Sequence, residues 1–307
     1  MLRLHQSKNK EGAPRPLTPF CVALHRGHKQ KGSMRKQVAK ILKWTALPTL
    51  LWALAGAPSS AQTESGPWNP GANSRARLLA AGAPEQGLYR AGIEIELKSG
   101  AHTYWRDPGD AGVPPVLITE GSRNVKSAVL RFPAPSRIDE NGLTVYGYRN
   151  NLILPMEIVP EDAKAPVHLN VRFTYAACEK ICIPAELSGA IDLSVDAPKG
   201  TQAQRLAQAI RLLPTQVQAE QIALSANRVE GTAKPSWRID VKPGFVDLFA
   251  EGPAGWNLDT KAEKSGFALT SDGRPQNWQG PVPVILTLKG AADVEVKIDL
   301  PLPDSVK

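Results

Sequence analysis

Beyond Gln62 the apolar positions recur with period two far more often than with the 3.6-residue period of a helix. Ile93, Ile95 and Leu97 alternate with Glu94, Glu96 and Lys98, and Gly100 closes the run. Val167, Leu169, Val171 and Phe173 alternate with His168, Asn170, Arg172 and Thr174, and Ile191, Leu193 and Val195 repeat the pattern before Pro198. The run from Leu152 to Ile158 is interrupted by Pro155, which predicts an edge strand or a bulge, because proline cannot donate to a ladder. The 25 glycines and 27 prolines fall mainly between such runs. Many short strands joined by turn residues predict an all-β chain built as a β-sandwich.

One segment departs from that rule. Thr201 to Leu213 places Leu206, Ala209, Ile210 and Leu213 at helical spacing, and Pro214 stops it. It reads as a linker helix, 199–214, between a first β unit at 62–198 and a second, β-sandwich-like unit at 215–307. The second unit shows strand-like runs around Trp237, Ile239 and Val241, Phe245 to Phe249, Phe267 and Leu269, Val282 to Leu288, and Val294 to Leu300. It contains neither cysteine nor histidine, so its expected role is packing or docking.

Charge changes the picture at the front end. The chain carries a formal charge of +8, yet residues 1–61 hold 11 of the 37 basic side chains and 1 of the 29 acidic ones. That leaves 26 basic against 28 acidic residues beyond position 61, a net charge of −2. The basic surplus therefore says nothing about partners of the folded part, and nucleic acid is not expected as one. From Met34, the residues Arg35, Lys36, Lys40 and Lys43 precede an apolar stretch from Ala46 to Ala57 and the small residues Ser59-Ser60-Ala61. Residues 1–61 thus read as an N-terminal extension and a cleavable secretory signal, with Met34 as an alternative start. The apolar stretch falls well short of the roughly 20 residues a membrane span needs; a retained anchor is the competing reading. The expected mature product is soluble and periplasmic, has no membrane span, and lacks Cys21. In that compartment disulfides form and persist.

Two cysteines remain, in Tyr175-Ala-Ala-Cys178-Glu-Lys-Ile-Cys182-Ile-Pro184. Cysteines four apart can bridge only if the chain turns between them. Such a ring is worth only about 2 kcal/mol on the chain-entropy scale, against about 4.7 for a 100-residue loop. A staple would gain more by linking distant strands, so the position suits a bond that is made and broken. Lys180 favours a thiolate and Glu179 opposes it, so local charge does not decide. The spacing is not Cys-x-x-Cys, and the motif follows a strand rather than opening a helix. A structural disulfide in a binding or assembly protein remains open on these grounds. A metal site with His102 or His168 remains the weaker alternative, since neither histidine shows ligand spacing, and no cofactor or metal is expected.

Several stretches together resemble the periplasmic N-terminal domain of the thiol:disulfide interchange protein DsbD and its ScsB-like relatives. They are Ser74-Arg-Ala-Arg77, Gly100 to Pro115 with His102-Thr-Tyr-Trp-Arg106, Phe132-Pro-Ala-Pro135, Val145-Tyr-Gly-Tyr148, Leu154-Pro155, and Tyr175 to Glu186. The resemblance implies an immunoglobulin-like sandwich whose cysteine pair passes electrons from a thioredoxin-like or membrane-embedded donor to oxidised periplasmic clients, such as isomerases and cytochrome c maturation proteins. It implies that Cys182 is the nucleophile of mixed disulfides and that Cys178 resolves them. It also implies a capping loop near Asp139 to Tyr148, with Val145 and Tyr146 closest to the pair, and places Tyr104 and Trp105 in an aromatic segment beside it. The spacing of the pair is shorter than in the best-known members, and Val145 stands where they carry a capping Phe. Full-length members continue into a membrane domain and a thioredoxin-like domain, so the expectation here is a stand-alone carrier with a separate donor protein.

Overall fold

The computed structural model describes residues 64–302, apart from Asp110 and Asn277. The signal-like segment, both candidate starts and Cys21 lie outside the described residues. The first β unit has strands Asn69–Pro70 (β1), Ser74–Ala80 (β2), Tyr89–Leu97 (β3), His102–Gly109 (β4), Val116–Ile118 (β5) and Ser127–Leu130 (β6). It continues with Ser136–Glu140 (β7), Leu143–Tyr148 (β8), Leu152–Val159 (β9), Val167–Cys178 (β10) and Cys182–Leu193 (β11). One sheet runs β1-β2-β3-β9-β6, the other β11-β10-β4-β8-β7, with β5 also paired to β10. Their facing sides interleave in one core, where Leu78, Ile93 and Leu154 meet Leu169, Val171, Phe173 and Leu187. This is the immunoglobulin-like sandwich the alternating runs call for.

The run holding Pro155 is not an edge strand. β9 lies between β3 and β6, with Pro155 opposite Gly92. The Pro155 carbonyl accepts from the Arg131 N–H at 2.7 Å, so the ring nitrogen faces that same side, where β6 has just ended at Leu130. The missing donor therefore falls where the ladder already stops.

Helix α1, Thr201–Ile210, buries Leu206 and Ala209. It packs on β2 and β9 of the first sandwich, and Arg205 reaches across to the buried Glu94, which Arg77 also holds. The helix is a connection along the chain, but in space it belongs to the first sandwich. Beyond it come Thr215–Gln216 (β12), Ser225–Arg228 (β13), Ser236–Asp240 (β14) and Phe245–Glu251 (β15). Leu258–Ala262 (β16), Phe267–Ser271 (β17), Val282–Gly290 (β18) and Val294–Leu300 (β19) complete the unit. They form two four-stranded sheets, β12-β19-β18-β15 and β13-β14-β17-β16, around Trp237, Ile239, Leu269, Leu286 and Val296.

The two sandwiches are joined by more than the helix. Phe249 of β15 is fully buried in the first core, edge-on to Trp105 and Tyr146 at centroid distances of 5.9 and 5.1 Å. Around it Arg106 pairs with Glu251 and Glu295, both at 2.5 Å. Arg137 pairs with Asp247 at 3.0 Å and donates to the Thr260 hydroxyl at 2.7 Å. Lys289 donates to the Pro135 carbonyl at 2.8 Å.

Candidate functional site

Strand β10 alternates buried and outward residues from Val167 to Tyr175, but Ala176, Ala177 and Cys178 are all buried. The change has a local cause. At its end β10 pairs with β4, Ala177 opposite Thr103 and Cys178 opposite His102, and residues above this part of the sheet cover its second face. Tyr104, Ile138, Val145, Ala176 and Cys178 form a small separate core there.

The cysteines face each other as the last cross-strand pair of the β10–β11 hairpin, with Glu179-Lys180-Ile181 as the turn. They are disulfide-bonded, with Cα atoms 4.0 Å apart. Their surroundings differ sharply. Cys178 is 1% exposed and roofed by the small core, whereas Cys182 is exposed and Ile181 beside it is 68% exposed. Only one of the two sulfurs is open to an incoming group.

The Tyr104 hydroxyl sits 3.1 Å from each sulfur and donates to Glu140, whose nearer oxygen is 2.9 Å away. Glu140 Oε1 lies 2.9 Å from Cys182 Sγ, so a thiol there would have a carboxylate acceptor in place. Burial, and then Glu140, push the Tyr104 hydroxyl well above its ordinary value, which keeps it a neutral donor. His102 shares the strand face of Tyr104, ring edge to ring face, and its Nε2 is 3.7 Å from Glu140 Oε2. That nitrogen is buried without a hydrogen-bond partner. Burial lowers the His102 pKa, with Glu140 pulling the other way and Arg149 adding to the fall.

Strand irregularity sorts the neighbours of Tyr104. The β4–β8 register passes from Tyr104↔Gly147 to Gly109↔Val145, so four residues of β4 bulge against Tyr146 alone. The close crossing needs Gly147: a Cβ there would lie 2.1 Å from the Thr103 carbonyl oxygen. Tyr104 and Val145 lie on the sulfur side, both in the small core that buries Cys178. Trp105 and Tyr146 do not reach the pair. Both turn into the first core against Phe249, and the Tyr146 hydroxyl donates to Asp259 at 3.3 Å. Strand parity and the bulge set both rings on the other face of the ribbon from Tyr104.

Of the residues at the site, Glu140 is the one the sequence does not single out, and His102 enters the sequence reading only as the weaker alternative of a metal ligand. Glu140 lies within the loop that the resemblance pointed to, as the acidic residue before the Asn141-Gly142 turn. His102 stands two residues from Tyr104, and period two alone puts the pair on one face. His168 is elsewhere, on β10 with Asp192 at 2.6 Å. Among the described residues, no helix is long and apolar enough to cross a membrane.

Residues 75–189 match the family described as thiol:disulfide interchange protein DsbD, N-terminal; that stretch is a DsbD N-terminal-like domain. The chain is also similar in structure to the N-terminal periplasmic domain of ScsB from Proteus mirabilis. The TM-score is 0.60 at 19% identity, over 78% of this chain and 99% of that one. At that identity the likeness concerns the fold, and it extends over more of the chain than the family match does. None of the curated proteins matches the chain.

Proposed function

We propose that this DsbD N-terminal-like domain makes the chain a periplasmic thiol–disulfide interchange protein, passing electron pairs through a reversible Cys178–Cys182 bond. The observation that carries the reading is the asymmetry of the pair: an exposed sulfur beside a carboxylate, bonded to a buried sulfur beside a tyrosine hydroxyl.

The exchange follows from that asymmetry. A thiolate of a dithiol donor attacks Cys182 Sγ, the open sulfur, and forms a mixed disulfide while Cys178 leaves as a thiolate. The Tyr104 O–H, 3.1 Å away, turns from Glu140 to stabilise that leaving charge. The donor's second thiol then closes the donor's own disulfide and releases Cys182. Two electrons and two protons have moved to the pair. In the return half, Glu140 accepts the Cys182 proton and the thiolate attacks a client disulfide. Cys178 then attacks Cys182 Sγ, expels the reduced client and restores the bond. The donor in this reading is a thioredoxin-like or membrane-embedded protein, and the clients are oxidised periplasmic proteins. Tyr104 serves the chemistry and Val145 packs with it in the small core over Cys178. Trp105 and Tyr146 act at a distance, by seating the second sandwich.

Equilibration in redox buffers with mass-spectrometric thiol counting tests this. The expected potential lies between about −120 and −270 mV, the span of exchange proteins. A Cys178→Ala variant should accumulate mixed disulfides through Cys182 in the periplasm. A potential below about −300 mV together with no trapped partner would identify a permanent staple and overturn the proposal.

A further inference from the structure

Opening the bond frees more than two thiols. A ring nitrogen of His102, a Glu140 oxygen and Cys178 Sγ already lie within 4.8 Å of one another, and Cys182 Sγ is 2.9 Å from Glu140 Oε1. His102 is 4% exposed, and its Nε2 faces this cluster with no hydrogen-bond partner. A buried imidazole nitrogen 3.7 Å from a carboxylate, beyond hydrogen-bond reach, is a ligand atom without an occupant.

We propose that the reduced pair, with His102 and Glu140, forms a four-donor site for a single Zn2+ ion. The inference rests on the exchange reading only in requiring that the disulfide opens. Tetrahedral zinc with bonds of about 2.0–2.3 Å sets its ligand atoms roughly 3.3–3.8 Å apart. His102 Nε2 and Glu140 Oε2 are at 3.7 Å as they stand. The sulfurs reach that separation once they are no longer bonded. Two thiolates select a thiophilic ion, while the hard carboxylate and the imidazole fit zinc better than Cu+, which prefers sulfur alone. The Tyr104 hydroxyl, beside both sulfurs and Glu140, supplies the outer hydrogen bond that such sites use to orient their ligands.

The balance is simple. Reduction by a dithiol delivers two electrons and two protons. Zn2+ then binds, and the two thiols give up their two protons to solvent. Glu140 and His102 bind through the carboxylate oxygen and ring nitrogen that lie 3.7 Å apart. Zinc so held stabilises the reduced pair and occupies Cys182, so exchange stops until the ion leaves. At free zinc about 100 times the dissociation constant, the equilibrium shifts about 100-fold toward the reduced form.

The test uses the full chain with Cys21→Ser, reduced by a phosphine and freed of reductant without air, its thiols counted, then titrated with Co2+ and Zn2+. The expected result is sulfur-to-cobalt charge transfer with tetrahedral cobalt absorption, abolished by an equimolar amount of Zn2+ and absent from the oxidised protein. Alkylation of Cys182 should slow when zinc is present. His102→Gln and Glu140→Gln should each weaken zinc binding about 10–100-fold, the size of effect that even outer partners have. Cooperative unfolding of each oxidised variant shows that it folds, and Glu140, at the rim, carries the test if His102→Gln does not. A full thiol count with no cobalt signal overturns the zinc site and leaves exchange standing. Binding that ignores both substitutions also overturns it, as two-thiol capture. Thiols that never appear sink the exchange reading, and the zinc site with it.

Discussion

The two faces of the β4–β8 ribbon do opposite work. On one, Tyr104 and Val145 sit against a disulfide among polar groups that can give or take protons. On the other, Trp105 and Tyr146 grip Phe249 of the second sandwich, ringed by Arg106 and Arg137 with their acidic partners. The residues are neighbours in sequence, yet one face is built to react and the other to hold. Burial pushes the Tyr146 hydroxyl up to about 12, with Asp259 pushing the same way and Arg137 opposing, so it too stays neutral at physiological pH. Its partners are fixed structural groups, whereas those of Tyr104 are Glu140 and the two sulfurs. Chemistry here depends on what a tyrosine faces more than on how its acidity is shifted.

Four substitutions or conditions would break or sharpen that division. Phe249→Ala should cost about 3–5 kcal/mol by removing a buried ring from between two others, read by denaturant unfolding of the chain. The disulfide potential should stay put. A shift comparable to that of a site variant would mean that the bulge transmits between the faces. Arg137→Ala leaves Asp247 and the Thr260 hydroxyl short of a partner in a half-buried setting and should cost about 1–3 kcal/mol by the same measurement. Tyr104→Phe should cost no more than about 1 kcal/mol in folding, yet slow reduction by a dithiol about tenfold, the worth of one hydrogen bond to a developing thiolate. Stopped-flow kinetics would settle it, and an unchanged rate would remove Tyr104 from the chemistry.

The smallest expected effect is a pH dependence. Burial holds His102 below its ordinary value of 6.5, with Arg149 acting the same way and Glu140 against it. Below that value the unfolded chain binds the proton more readily than the folded one. The contribution of the neutral ring is therefore whole above about pH 6.5 and drains away as the pH falls through the window beneath it. His102→Gln should flatten that part of the stability curve, measured by unfolding between pH 7 and pH 5.

The sandwich was legible because β3, β10 and β11 alternate almost without fault, and α1 because Leu206 and Ala209 fall on one helical face. The cysteine pair was legible as a short bridge. The resemblance puts Trp105 beside the site with Tyr104, but adjacency in a strand puts side chains on opposite faces and the bulge widens the separation. Glu140 was hidden for a different reason. It reaches Cys182 only because Asn141 and Gly142, both with positive φ, fold β7 back on β8 and lay that hairpin beside β4. The seam between the sandwiches was beyond reach: Arg106 finds Glu251 and Glu295, and Arg137 finds Asp247, more than a hundred residues away. Charged residues carry no mark of such distant partners.

The β10–β11 ladder runs unbroken from Val167↔Leu193 to Cys178↔Cys182, so the strands stay zipped whether or not the sulfurs are joined. A loaded and a spent molecule then show nearly the same outline to any protein that docks at this tip. The spent form becomes a competitor for the very surface the loaded form needs. Rapid turnover would demand fleeting encounters, with complexes that dissociate quickly in either state.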